Sequence, residues 1–318
     1  MSKKILFIGG SINQTTQMLQ IAGELQEYEC FFSPFYDDGL LGKAARRGLL
    51  EFSIMGNERA RQACRLFDEN GVRVDRGGTR HAYDLVVTGT DLVVPRNIRN
   101  RNIVLVQEGM TEPETFFYHL ARRFRRVPRW IAGTATTGLS HAYRKFCVAS
   151  YGYRDLFIRK GVDERKIEVT SIPNFDDCAR FFDNSFPYRD YVLVCTSDNR
   201  ETFIYENRIH NIRTYLDMAG GRRLLFKLHP NEDAARALRE IRTHAPGSLV
   251  FGGGNTGEMI ANSAMMIAQY SSTILVGSAL GKKVHSSIDP ELLEALTPLQ
   301  NRRAAHHIAR VCREVIDG

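Results

Sequence analysis

The sequence predicts an α/β protein made of two successive doubly wound units. Three observations lead there: a length of 318 residues, more than one hydrophobic core usually serves; short apolar runs that end in glycine or polar loops; and stretches of helical spacing between those runs. Apolar residues at 43% and charged residues at 25% match a globular chain. No run of about 18 apolar residues occurs, so no membrane-spanning helix is expected. The opening residues lack the apolar core and cleavage site of a signal peptide, so the expected location is the cytoplasm.

The first run, 4–8 (KILFI), closed by Gly9 and Gly10, has the pattern of a buried parallel strand. Met18, Leu19, Ala22 and Leu25 then recur at helical spacing, which predicts a helix over 16–25. Strand signals return at 85–87, 103–106, 146–149 and 167–171, and 153–160 has the pattern of a short helix stopped by Gly161. The stretch 173–188 holds Pro, Asn, Asp and aromatic residues without periodicity, and is the expected linker between a first domain at 1–172 and a second at 189–300. In the second, strands are expected at 191–195, 223–228, 248–251, 265–269 and 283–284, and helices at 207–218, 233–244, 257–261 and 273–280. A last helix covers 301–316, within a segment 301–318 expected to pack back on the first domain.

Six cysteines are scattered without a CxxC pair, which argues against a zinc site and a disulfide framework and for buried reduced thiols. The net charge of +7 suits binding of phosphates or of anionic lipid as well as nucleic acid, so its distribution has to decide.

In an open parallel sheet, ligands sit beyond the carboxyl ends of the strands, so the residues just after each strand carry the candidate chemistry. After the first strand, Gly10 and Ser11 open a small polar loop ahead of a helix, where backbone N–H groups can meet an anion. After the strand at 103–106 come Gln107, Glu108 and Gly109; a carboxylate at a strand tip suits a general base whose pKa burial raises, with Glu112 and Glu114 as reserves. In the second half Lys227, His229 and Pro230 close a strand, the imidazole suited to donate to a phosphate oxygen and the lysine to add positive field. Ser271, Ser272 and Thr273 follow another strand and open a helix, a hydroxyl-rich seat for phosphate.

An acidic Glu-Gly pair, then His-Pro, then a serine-rich turn resembles the bacterial sialyltransferases and Kdo transferases of the GT-B superfamily. That resemblance implies two Rossmann-like doubly wound domains with an interdomain cleft, Glu108 as the base that deprotonates an acceptor hydroxyl, and His229-Pro230 with Ser271, Ser272 and Thr273 on the donor phosphate. VLVQEGM at 104–110, the stretch 146–174 and TSDNRET at 196–202 are similar to the UDP-N-acetylglucosamine 2-epimerases. That second resemblance implies proton shuttling by Asp91, Glu108 and Glu112 or Glu114, and draws attention to Asn199 and Arg200. The family's histidine string is replaced around Ser197-Asp198, and Gln-Tyr-Ser-Ser stands where it has Asp-Ser-Gly-Gly. Teichoic-acid polymerases that use CDP-glycerol are similar in their His-Pro motifs and helix-borne serines.

The densest basic run holds Arg122, Arg123, Arg125, Arg126, Arg129 and Trp130, and suits an anionic membrane surface or an acidic glycan or lipid-linked acceptor. No RNA-binding aromatic motif accompanies it, so nucleic acid is not an expected partner. The leading expectation is an inverting glycosyltransferase that takes a nucleotide sugar, best a CMP-linked acidic sugar such as a nonulosonate or Kdo, to a cell-surface glycan. The alternatives are a sugar-nucleotide epimerase and a non-catalytic GT-B binding protein. No cofactor is expected, and no metal, because no Asp-x-Asp occurs and a helix dipole with His229 can carry the phosphate charge.

Overall fold

The computed structural model describes residues 2–50, 55–124, 127–202 and 204–318. The chain divides into two units, one of Met1–Asp176 with Asn301–Gly318, the other of Asp177–Gln300.

In the first unit, strands β1 (Lys4–Ile8), β2 (Glu29–Ser33), β3 (Leu85–Thr88), β4 (Ile103–Val106), β5 (Lys145–Val148) and β6 (Ile167–Val169) form one sheet, all parallel, in the order β2-β1-β3-β4-β5-β6. β1, β3 and β4 are buried along almost their whole length, which is why they appear in the sequence as unbroken apolar runs. Helices α1 (Ile12–Gly23), α2 (Leu40–Arg46), α3 (Asn57–Glu69), α4 (Phe116–Arg123) and α5 (Tyr151–Lys160) lie between the strands in sequence. α1 turns Met18 and Ile21 inward together with the polar Gln14, Thr15 and Gln17. α5 stops at Gly161, whose φ of +103° is a conformation that a side chain would strain, and whose amide closes the helix on Ile158 O at 2.9 Å.

The second unit repeats the scheme. Strands β7 (Val192–Cys195), β8 (Leu224–Lys227), β9 (Leu249–Phe251), β10 (Met265–Ile267) and β11 (Lys283–His285) pair in parallel in the order β11-β10-β7-β8-β9. They alternate with α6 (Arg208–Ala219), α7 (Ala234–His244), α8 (Thr256–Asn262), α9 (Thr273–Ala279) and α10 (Pro290–Leu296). One core cluster joins Val192, Val194 and Phe226 of the sheet to Ile212 of α6 and Ile241 of α7. Each such side chain contributes about 1.5–3 kcal/mol of burial.

The segment expected to be a linker, 173–188, contains the division between units, but most of it is not a free connector. Residues 178–182 form a 3-10 turn packed on α8 and α9, and a Cβ placed on Gly257 would stand 2.5 Å from the Phe181 ring. Phe186 packs on Phe251 with ring centroids 5.5 Å apart. All six cysteines are free; Cys30 and Cys64 are only half-buried, whereas burial pushes the Cys147 and Cys195 thiols up to about 12, too high for ready reaction.

The last helix, α11 (Ala304–Asp317), belongs to the first unit, where it packs on α1 and along β3, β4 and β5. Ala304, Ile308, Ala309, Val311 and Cys312 form its buried stripe. Its surface ties, Lys3 to Asp317 at 2.8 Å and Arg313 to Glu27 at 2.6 Å, are exposed pairs worth little by themselves. Apolar contact therefore holds α11 in place. Ile308→Ala should lower unfolding free energy by roughly 2–5 kcal/mol, read from urea midpoints. An unchanged midpoint would mean that α11 is not docked as described.

Candidate functional site

The strand order places the chemistry. In the first sheet β1 has β2 on one side and β3 on the other, so the loops after β1 and β3 leave at the point where the strand order reverses, with the β4 loop one strand further on. In the second, β7 lies between β8 and β10 and the same holds for the loops after β7 and β10.

In the first unit the β4 loop is anchored by Gln107, almost fully buried, whose amide donates to Gly109 O at 2.8 Å and accepts from Ala149 N–H at 2.9 Å. That leaves Glu108 against the first turn of α1. The Ser11 hydroxyl donates to Glu108 Oε1, and Gln14 Nε2 donates to Oε2 at 2.6 Å. Gln17 Nε2 donates to the Glu108 backbone oxygen at 3.1 Å. Ser11 is also the helix cap, accepting from Gln14 N–H at 3.1 Å. Gly89, after β3, makes room: a Cβ there would stand 2.9 Å from Gln14 Cγ. Burial pushes the Glu108 carboxyl above its usual range, while the Ser11 and Gln14 hydrogen bonds and the Arg59 charge oppose the rise. A carboxylate so placed can take a proton from a hydroxyl.

Several residues expected in the site do other work. The Gly10 amide donates to Thr15 Oγ1 at 3.3 Å and is not offered to an anion. Asp91, 3% exposed, accepts from the Gly138 and Ser140 amides, both at 2.9 Å, and from Arg129 Nη1 at 3.2 Å. Glu112 accepts from Thr134 N–H at 2.7 Å, and Glu114 stands 4.0 Å from the buried Lys160 ammonium. These three carboxylates organise the segment before β5. Of the basic run, Arg122 and Arg123 end α4, Arg129 is held by Asp91, Trp130 is 41% exposed, and Arg125 and Arg126 lie outside the described residues.

In the second unit the His229 amide donates to Thr196 Oγ1 at 2.9 Å, and that hydroxyl donates to Glu232 at 2.5 Å. The imidazole Nδ1 lies 3.3 Å from the donating Asn231 amide and 3.5 Å from Asp198 Oδ2. Nδ1 is thus occupied by the Asn231 and Asp198 side of the site, and Nε2 is the ring nitrogen left to face a phosphate oxygen. Asn199 donates to Gln269 Oε1 at 3.0 Å, so the β7 loop touches both the His229 loop and the loop that leads to Ser271. Within that loop Ser271 Oγ accepts from Thr273 Oγ1 at 3.0 Å, and Ser272 occupies the position before α9. Beneath lies a buried ion network: Glu232 with Arg208 at 2.6 Å, Arg208 with Glu206 at 2.8 Å, and Arg200 forked onto Glu240 at 2.8 and 2.9 Å. Arg200 is therefore structural. So is Lys227, whose ammonium donates to Leu228 O and Gly252 O, both at 3.1 Å, and whose pKa burial lowers. Gln14, Thr196, Asp198, Glu232 and Gln269 complete the two clusters; none was a candidate by itself, although Thr196, Asp198 and Gln269 lie inside quoted motifs.

No family model and no curated protein matches the sequence. Solved structures match along its length. A putative UDP-N-acetylglucosamine 2-epimerase from Listeria monocytogenes superposes with a TM-score of 0.62 at 11% identity, over 100% of this chain and 97% of that one. The S. aureus MnaA–UDP co-structure gives 0.60 at 11% identity, over 99% and 97%. The wall teichoic acid polymerase TagF, soaked with CDPG, gives 0.54 at 11% identity, over 99% and 89%. The shared fold is GT-B, an α/β architecture of two Rossmann-like units.

Asp91→Ala would strand two buried amides and the Arg129 charge, and should cost roughly 2–4 kcal/mol in a urea titration; full stability with altered chemistry would instead return Asp91 to the reacting groups. Because burial raises the Glu108 pKa, the folded state binds that proton more tightly than the unfolded chain does. Its contribution to stability is fully present below the ordinary glutamate range and is lost as pH rises through the folded-state pKa. Glu108→Gln should therefore gain in stability over the native chain as pH rises from acid to neutral. A difference that does not change with pH would contradict this.

Proposed function

We propose that the chain is a nucleotide-sugar-dependent glycosyltransferase that inverts configuration, with Glu108 as general base. The observation that carries this reading is the Glu108 carboxyl itself, raised by burial yet aimed by Ser11 and Gln14 at the tip of β4. In the second unit His229 donates from Nε2 to the donor phosphate, Thr196 holds its main chain and Asp198 flanks the imidazole, and Ser271, Ser272 and Thr273 supply hydroxyl donors as the nucleotide departs. One in-line displacement at the anomeric carbon inverts it, the acceptor oxygen forming the new bond and the nucleotide phosphate leaving with the old electron pair. The donor class placed first is a CMP-linked acidic sugar, on the order of the Glu-Gly, His-Pro and serine motifs; the acceptor is a glycan. UDP- and CDP-linked donors enter the test because structures of similar fold were solved with UDP and CDPG.

The epimerase reading calls on Asp91, Glu108 and Glu112 or Glu114 as proton shuttles. Asp91 and Glu112 are engaged by backbone amides and Glu114 stands beside Lys160, and this weighs against it.

CMP-, UDP-, GDP- and CDP-activated donors should be screened by thermal shift and nucleotide release, with product analysis for the donor that binds. Glu108→Gln should lower transfer by about 10²–10⁴-fold and leave donor affinity nearly unchanged. Retained transfer would remove Glu108 from the chemistry, and binding of a donor without product in either protein would favour the non-catalytic alternative. His229→Ala should weaken donor binding and turnover together, by about tenfold or more each, because its contact exists both before and during departure.

A further inference from the structure

The first unit holds an open groove of about 1020 Å³ whose lining includes none of Ser11, Gln14 and Glu108. It runs between residues 92–94 after β3, the segment before β5, and α4 with the turn that follows it. Such a volume is at the upper end of ligand sites and far exceeds what a bare phosphate needs.

Three arginines line it, Arg96, Arg99 and Arg122, and among the described residues none is in an ion pair. Arg129 and Lys160 also reach the groove, but Asp91 and Glu114 stand against them. The carboxylate in the lining, Asp37, accepts from the Gly39 and Gly42 amides at 2.9 and 3.0 Å. The groove is therefore cationic. Leu40, Leu92 and Trp130 share its lining with the arginines, so it offers apolar surface as well as positive charge.

α4 exposes large apolar side chains along with its polar ones: Tyr118 and Ala121 pack inward, while Phe116 is 74% exposed, Phe117 51% and, just past the helix, Phe124 52%, beside the exposed His119, Arg122 and Arg123. Trp130 and Ile131, in the following turn, are 41% exposed each. Arg122 and Arg123 close the helix among them, with Arg123 lying 5.6 Å from the centre of the Phe124 ring. Five large apolar side chains with Arg122 and Arg123 among them make a surface that water disfavours and that the headgroup layer of an anionic bilayer suits. No helix among the described residues is long and apolar enough to cross a membrane, so the contact is with the surface layer.

We propose that the groove receives the phosphate headgroup of an anionic membrane lipid, and that the Phe116, Phe117 and Phe124 face of α4 lies in the interface of the same bilayer. The charge selects the headgroup; the exposed aromatic residues separate a lipid from a free phosphate or a soluble nucleotide, neither of which would cover them. The proposal stands apart from the transferase reading, since vesicle binding needs no turnover.

The test is flotation of the full chain with vesicles of phosphatidylcholine, with and without phosphatidylglycerol, at low and high salt. Titrations with short-chain phosphatidic acid, which stays soluble, and with inorganic phosphate accompany it. The native chain should float with the anionic vesicles, remain behind with phosphatidylcholine alone, and lose binding as salt rises. Arg96→Glu with Arg122→Glu should reduce vesicle binding by about tenfold or more and remove binding of the short-chain lipid. Phe116→Ser with Phe117→Ser should weaken vesicle binding similarly while leaving the short-chain lipid bound. Melting midpoints check each fold, and Arg96→Gln alone, at an exposed position, repeats the arginine test at smaller amplitude. Failure of the native chain to float with anionic vesicles would overturn the proposal. So would floating that neither pair of substitutions changes, or inorganic phosphate binding as tightly as the short-chain lipid.

Discussion

Parallel pairing of β1 with β2 on one edge and β3 on the other governs the first unit. Because every strand runs the same way, each return needs a crossover, and all the loops that leave the carboxyl ends gather along one edge of the sheet. That gathering brings the opening turn of α1 to the tip of β4, although Ser11 and Glu108 are far apart in sequence. The second unit uses the same rule: β7 lies between β8 and β10, and its loop reaches His229 on one side and Gln269 on the other through adjacent residues, Asp198 and Asn199.

Within these two clusters the charged groups fall into separate kinds by what their neighbours leave open. Asp91, Glu112, Lys227 and Arg200 have their principal hydrogen-bonding capacity occupied by main-chain groups or by a partner of opposite charge, and their work is to hold loops. Glu108 and His229 differ, since each is aimed by neighbours that leave its reactive atom open: the carboxyl has a raised pKa, and the ring has its neighbours on the Nδ1 side and Nε2 away from them. Thr196 ties His229 to the ion network below it, so the position of the ring rests on Glu232 and Arg208 as much as on its own loop.

The buried strands were legible because full burial leaves an uninterrupted apolar signature, and Gly161 was legible because few residues tolerate its conformation. β2 was not foreseen: ECFFS follows a polar turn and begins with a glutamate, so its apolar part is too short to stand out. α3 hides for a different reason. Ala60, Ala63, Cys64 and Phe67 stand at helical spacing, but only Ala63 and Phe67 are fully buried and charged residues surround them, so the stripe is narrow and easily passed over. The candidate site was half legible. Glu108, His229 and Ser11 stood at strand ends where the fold concentrates ligand chemistry, but Asp91 looked equally suitable there. Its role depends on amides at 138 and 140, and no local pattern announces partners that distant. Glu232 escaped because a buried acidic residue beside a proline turn resembles any helix-entry carboxylate until its partners Thr196 and Arg208 are seen.

The docking of α11 also bears on how the chain is made. Its stripe fills the first unit from the far end of the sequence, after all of the second unit has been synthesised. On the ribosome the second unit can therefore close its core while the first still lacks one wall, with apolar surface on β3, β4 and β5 waiting for residues that emerge only after the whole second unit. Completion runs from the inserted half to the enclosing one, and the enclosing half is the one that a chaperone would have to shield during translation.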